Sequence, residues 1–432
     1  MAIIPQLKLF GWNEIEKLGD LERLRLVLEH MPDEDLMQAL ERKLNKGRND
    51  YPVRAAWNSI LAGIVFQHPS IESLRRELKR NAQLREMCGF EGEVPPAWVY
   101  TRFMKTLFGY ASMVDGLFDN LVQQIRKELP DFGRHLAMDS KAISSLAKGK
   151  NRNEAADGRR DTDADYGKKE YRGVDKDGKL WEKIVKWFGY KLHLVVDATY
   201  ELPVAFKVTK ASAADITQGH ALLDQMQERQ SEILDIAATL TADRGYDDTK
   251  LIIRCWDKYH IKPVIDIRNM WKDPDPTRLL EGRENVVYDY KGTVYCVCPQ
   301  TGKQREMING GFEKDRNKLK KLCPAKQMGI ECKGQAQCPV KQGIRIPLAL
   351  DRRIFTPIDR ASYKWKREYD KRTAVERVNS RLDVSFGFEL HTIRGMAKMK
   401  LRCGLALCVM LAMALGRIKE NQAEKMRSLV AA

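Results

Sequence analysis

Leu36, Leu40 and Leu44 fall at helical spacing directly after Pro32-Asp33, a helix start signal, within a region (residues 1–130) that reads as all-helical. Pro52 opens a segment in which Val53, Trp57, Ile60, Leu61 and Ile64 share one face. Beyond His68-Pro69, Ser70 is placed to cap another helix with Ile71, Leu74 and Leu78 inward. The opposite face of that helix carries Arg75, Arg76, Lys79 and Arg80. Two helices joined by a short turn, the second basic, suit a helix-turn-helix laid on DNA. On pattern alone an ordinary helical hairpin with a solvated charged face is the simpler reading, because such faces are common.

From His135 the pattern changes to strands. "RHLAMDSKAI" reads as a short buried strand ending in a carboxylate, Asp139. Residues 148–183 are charged and rich in Gly and Asp, without apolar periodicity, and read as a long mobile loop. "KWFGYKLHLVVDA" and "LPVAFKVTKA" predict two adjacent strands with a turn at Thr199–Leu202. A helix follows over Ile216–Glu228 with Leu222, Leu223 and Met226 inward, then a strand "IAATLTAD" ending at Asp243. A helix over Lys250–Tyr259 and the strand "KPVIDI" complete a mixed α/β core. Residues 269–350 break the pattern. A long basic helix is expected from Asp359, containing Tyr369, Arg372 and Glu376, and an apolar helix after Gly395 that packs back on the core. Its most apolar part, Leu401–Leu415, starts with Arg402 and is short for a membrane span, so a buried helix is expected and no membrane partner.

The expected division is a helical N-terminal domain (1–130), a first core part (131–268), a cysteine-rich insertion (269–350), C-terminal core helices (351–418) and a tail (419–432). This accords with 432 residues and 49.7 kDa, which suggest two or three domains. Seventy-five Lys and Arg against 59 Asp and Glu leave a formal charge of +16. Such a surplus attracts polyanions, nucleic acid first among them. Met1–Phe10 does not resemble a secretory signal, so a cytoplasmic protein with reduced thiols or a metal site is expected.

Asp139 and Asp243 both close predicted buried strands, where ligands gather in open α/β sheets. A carboxylate there is costly to bury without a cation or a partner. Glu376 can bring a third carboxylate, and three acidic groups can hold two Mg²⁺ ions for phosphoryl transfer. Asp197, ending "LHLVVD", is an equal candidate by periodicity, so spacing suggests the site without selecting its members. A lone strand-end Asp is otherwise a cap or turn former.

The chain resembles a DDE transposase of bacterial insertion sequences, the cut-and-paste type with a helical N-terminal domain and an RNase H-like core. "LAMDSKAIS" matches the family's first motif at Asp139, and "ADRGYDD" its second at Asp243. The third motif, Tyr-x2-Arg-x3-Glu-x6-Lys, is matched by Tyr369, Arg372 and Glu376, but its lysine position holds Asp383. Arg377 or Arg381 is a candidate substitute for that lysine's DNA contact. "GYKLHLVVD" around His193, "HTIRGMAKMKLR" from His391 and Tyr51–Phe108, including "VPPAWVYTRF", also resemble the family, and the last favours a DNA-end-binding role for the basic helix.

The resemblance implies an α/β fold with a mixed RNase H-like sheet and a site of Asp139, Asp243 and Glu376 holding two Mg²⁺ or Mn²⁺ ions. DNA is the implied partner. The enzyme nicks the element's ends and the freed 3′-hydroxyl attacks target DNA, with two copies of the chain in a DNA synapse. Arg372 would grip a phosphate, Tyr369 would stack on a base or pack, and His193 would be structural. A metal-dependent nuclease without strand transfer and a decayed or domesticated DNA-binding protein are the other readings.

Cys296, Cys298, Cys323, Cys332 and Cys338 crowd the insertion, with proline after the second, third and fifth. Five thiols exceed the four a structural zinc needs, but paired C-x2-C knuckles are missing. Both a zinc site and a small subdomain with free cysteines fit. A zinc would hold a basic excursion (Arg305, Lys314, Arg316, Lys318, Lys320, Lys321) against DNA.

Overall fold

The computed structural model describes residues 19–44, 50–147, 161–175 and 177–428. Met1–Phe10 and the part of the expected loop at 148–160 lie outside the described residues.

The described residues of the N-terminal part form α1 (Glu22–His30), α2 (Glu34–Leu44), α3 (Val53–Val65), α4 (Ile71–Arg80), α5 (Ala82–Cys88), α6 (Ala97–Phe108) and α7 (Ala111–Glu128). The Ser70 hydroxyl caps α4 by accepting the Ser73 N–H, and Leu74 and Leu78 face inward as their spacing requires.

The sheet begins with β1 (His135–Ser144), β2 (Asp165–Val174), β3 (Leu180–Asp197) and β4 (Leu202–Lys210). After α8 (Asp215–Arg229) and α9 (Ser231–Ile236) come β5 (Thr239–Ala242), α10 (Thr249–Ile253) and β6 (Lys262–Ile265). Six strands form one mixed sheet in the order β2-β3-β1-β5-β6, with β4 paired to β3. β1 is antiparallel to β3 and parallel to β5, and β5 is parallel to β6. This is the expected α/β class with a mixed-sheet core.

Two expectations about the sheet are corrected. Asp139 does not end β1, which continues to Ser144, because Lys141 to Ser144 keep pairing with β3. Much of the expected loop is a β-hairpin, β2 against the first half of β3. Its alternation is hidden because the hairpin stands in solvent on both faces, with Tyr166, Leu180, Trp181 and Ile184 exposed. Gly167 lies opposite Trp187 and Gly173 opposite Trp181. A Cβ at either glycine would fall within 2.6 Å of the facing indole, so the rings lie flat over bare backbone.

The insertion has its own small sheets. One is β7 (Thr277–Leu279), β8 (Val286–Asp289), β9 (Val294–Val297) and β10 (Gln304–Glu306); the other is β11 (Ile308–Glu313), β12 (Lys318–Leu322) and β13 (Gly343–Pro347), with α11 (Pro324–Met328) between the last two strands. It closes over a separate hydrophobic core that includes Val286, Val294, Ile346 and Phe355.

The chain then returns with α12 (Tyr363–Asp370), α13 (Thr373–Phe386) and α14 (Met396–Lys419). The single long helix expected from Asp359 is two, broken at Lys371-Arg372, so Tyr369 and Glu376 belong to different helices. α14 is long and apolar enough to cross a membrane by length and composition, yet its apolar window is 83% buried within the protein. It packs on α7, α1 and β4. At Gly416 it approaches α1 so closely that a Cβ would meet Leu26 at 2.8 Å. The helical part and the sheet share one continuous core.

Candidate active site

Register, more than strand ends, brings the first two carboxylates together. Met138 on β1 lies opposite Ala242 on the parallel strand β5, so the next residues, Asp139 within β1 and Asp243 just beyond β5, follow side by side. Asp139 accepts the N–H of Ser140 at 2.7 Å, and Asp243 accepts the N–H of Gly245 at 2.7 Å, capping the short turn Arg244–Tyr246. Burial and the neighbouring Asp243 charge push the Asp139 carboxyl up to about 6, against the opposing pull of Lys169, the Ser140 N–H and Arg372.

Glu376, in the first turn of α13, stands half exposed at the same place. It does not touch the aspartates. The guanidinium of Arg372 stands between, 2.8 Å from the Glu376 carboxylate and 3.8 Å from that of Asp139. Because the helix breaks just before Arg372, its side chain projects from the start of α13 across to β1. The guanidinium also lies 5.7 Å from the Tyr369 ring, which is stacked on Trp365 with centroids 4.7 Å apart. Tyr369 therefore packs against protein.

The other named residues divide clearly. Asp197 is a buried turn former that accepts the N–H groups of Gly133, Thr199 and Tyr200. His193 is buried, shares a hydrogen bond with Thr209 at 2.9 Å, and is held down to about 4 chiefly by burial. Arg377 and Arg381 are both engaged within the protein. Both turn to the opposite side of α13 and bind the carboxylate of Glu201, in the turn between β3 and β4. On α4, Arg75 is drawn to the Pro95 carbonyl and Glu72, and Arg80 pairs with Glu77. Arg76 and Lys79 are exposed and make no ion pair with the described residues.

Two lysines near the carboxylates were not singled out by sequence. Lys169, from the hairpin, donates to the Ser140 carbonyl at 3.0 Å beside Asp139. Lys141, two residues along β1 from Asp139, pairs with Asp383 at 2.5 Å. The acid at position 383 thus has its countercharge on the strand beneath, and the strand motif carrying Asp139 is the only signal that pointed there.

All five insertion cysteines line a single cavity of about 20 Å³. The Cys298 thiol is drawn down to about 6 by the Thr301 hydroxyl and by the N–H groups of Thr301, Gln300 and Gly334, whereas burial and the neighbouring thiols push Cys296 up to about 11. Among the described residues, no group of three or more His, Cys, Asp or Glu side chains stands close enough to hold a metal ion. Among the carboxylates, Arg372 stands between Glu376 and Asp139. The basic excursion is corrected at Lys321, which is buried against Asp359, and at Arg305, which bonds the Glu331 carbonyl.

A family model described as a transposase DDE domain matches residues 130–412, spanning the sheet, the insertion and all three helices after it. The chain belongs to the DDE transposases. A second model, described as a transposase domain (DUF772), matches residues 13–106, most of the helical part of the transposase. No curated protein and no solved structure matches it. Membership makes the transposase a DNA-acting enzyme of mobile elements, in a family that works with divalent metal ions.

Proposed function

We propose that this transposase binds the ends of an insertion sequence, cleaves DNA there and transfers the 3′-hydroxyl end to target DNA. The observation that carries the reading is the register that sets Asp139 beside Asp243, with Glu376 reached through Arg372. Two adjacent carboxylates, one already pushed toward neutrality by the other and by burial, are a donor set that a hard divalent cation relieves. Asp139, Asp243 and Glu376 would hold two such ions, Mg²⁺ or Mn²⁺. Bound there, the pair would supply activation of the attacking oxygen and stabilisation of the departing one.

The protein's own residues position the strand. Arg372 is a fork of donors suited to a non-bridging phosphate oxygen. Lys169 adds a cation on the hairpin side. The exposed Arg76, Lys79 and Arg80 of α4 give a backbone-gripping face for an element end. Residues 1–130 would serve end binding, with 131–268 and 351–418 serving chemistry. Two copies would act in a DNA synapse, in the cytoplasm and at the nucleoid.

Within the insertion (269–350), the thiols are proposed to hold a structural zinc. Cys298, with several donors on its sulfur, supplies a thiolate-favouring position, and the other four line the same cavity.

The test is incubation of the protein with Mg²⁺ or Mn²⁺ on DNA carrying the gene's native flanks, with Asp243→Asn in parallel. Metal-dependent 3′ ends at the element's termini, some joined to new DNA, are expected from the native protein. Asp243→Asn should lose cleavage by at least about a hundredfold while still retarding DNA. Cuts without joined products would leave a nuclease, and retardation without cuts a DNA-binding protein. Undiminished cleavage by the variant would remove Asp243 from the site.

A further inference from the structure

At the other end of the parallel strands from Asp243 lies a cavity of about 440 Å³, walled by the core, the insertion and the loop that leads into α12. That volume lies within the range of small-ligand sites. Ala238 and Lys262 reach it from the starts of β5 and β6. Trp256 and Phe312 meet edge-to-face there, with centroids 5.5 Å apart, and His260 meets the same indole at 6.0 Å. His260 holds a left-handed backbone (φ 57) as the chain leaves the widened turn Arg254–Lys258.

The charge at this cavity is one-sided. Lys262, Lys314 and Lys364 all line it, and none has an ion pair among the described residues. Burial, and then Lys364 and Lys314, lower the Lys262 pKa, so the three ammonium groups feel one another. Two carboxylates lie close, and both are engaged. Asp359 is bound to buried Lys321, and Glu368 to Lys371 at 2.7 Å. Three crowded cations beside aromatic and apolar walls are chemistry for a ligand that joins an anion to a flat ring.

We propose that this cavity binds a nucleoside phosphate, with its phosphate on Lys262, Lys314 and Lys364 and its base against the Trp256–Phe312 wall. β5, which separates the cavity from Asp243, spans about 13 Å, roughly two nucleotides of extended strand. A strand seated here would be held on both sides of the insertion's junction with the core. That the nucleotide belongs to DNA rests on the DNA-cleaving reading; the cavity chemistry does not.

The full-length Lys262→Gln/Lys364→Gln protein tests it, with Phe312→Ala as a second variant. Two probes are used: a ten-residue single-stranded oligodeoxynucleotide, and dAMP alone, each read by tryptophan fluorescence and by anisotropy. The double variant should weaken oligonucleotide binding about tenfold or more and flatten its log–log salt slope by about 1.4, two lost single-strand contacts. Its melting temperature should hold or rise, because like charges are removed. Phe312→Ala should weaken binding without changing the slope. Binding of dAMP that the double variant loses would mean that free nucleotides enter the cavity, whereas an effect on the oligonucleotide alone would assign the site to DNA. Unchanged affinity for both probes in both variants would overturn the proposal. Cleavage is scored separately, so an inactive protein that still shows these losses would overturn the cutting reading and leave this site standing.

Discussion

Lys141 and Asp383 face each other across β1 and α13, the two elements that carry Asp139 and Glu376. Asp383 is drawn up by burial, and its second oxygen is buried without a hydrogen-bond partner. The lysine is therefore its main compensation. Asp383→Lys alone would set two ammonium groups together and should cost about 2–4 kcal/mol of stability. Lys141→Asp should cost a similar amount, and the exchanged pair Lys141→Asp/Asp383→Lys should recover all but about 1 kcal/mol. Denaturant unfolding of the four proteins measures the coupling. If the double variant is as unstable as the sum of the singles, the pair does not join strand to helix. Individual residues also mark what could be read from sequence. The strands that carry Asp139 and Asp243 were legible, but the ion pairs that Arg377 and Arg381 make were not. Nothing in the local sequence shows that Glu201, far back in a turn, claims both.

Among the elements, β3 pairs with β1, the strand that carries Asp139. Its second half pairs with both β1 and β4 and is almost wholly buried, which is why its hydrophobic run was legible. Its first half is a solvent-exposed arm with no core to impose alternation, and there the pattern failed. The break between α12 and α13 was hidden for a related reason: no proline or glycine marks it, and only the packing of Arg372 against β1 shows it. His193 lies in the buried half of β3. Its pKa is near 4 in the folded chain, against an ordinary value of 6.5. Below pH 6.5 the unfolded chain takes up a proton that the folded chain refuses, so stability is full above pH 6.5 and falls as the pH drops toward 4. Replacing His193 by Asn should flatten that loss, which thermal melts of both proteins between pH 4.5 and 7.5 would show. Parallel pH curves would mean that His193 does not titrate as its burial requires.

At the scale of the whole molecule the described residues form two cores, one shared by the N-terminal helices, the sheet and α14, and a smaller one built mostly from the insertion. Five thiols lie together at the edge of the small core. A bound zinc would add much of the insertion's stability. Metal analysis of the purified protein should find about one zinc per chain. Chelation should then expose the insertion to protease while α14 and the sheet stay protected, and a metal-free insertion that resists protease equally well would end the zinc assignment.

The close packing of α1 on α14, tight enough to need Gly416, also sets a schedule. The stretch between these helices takes roughly 20–70 s to synthesise at ordinary elongation rates. Throughout that interval the apolar faces of the N-terminal helices lack the helix that covers them. A chain released early would therefore present an unfinished core, and a truncated copy should be handed to chaperones and proteases before its basic surface could occupy DNA.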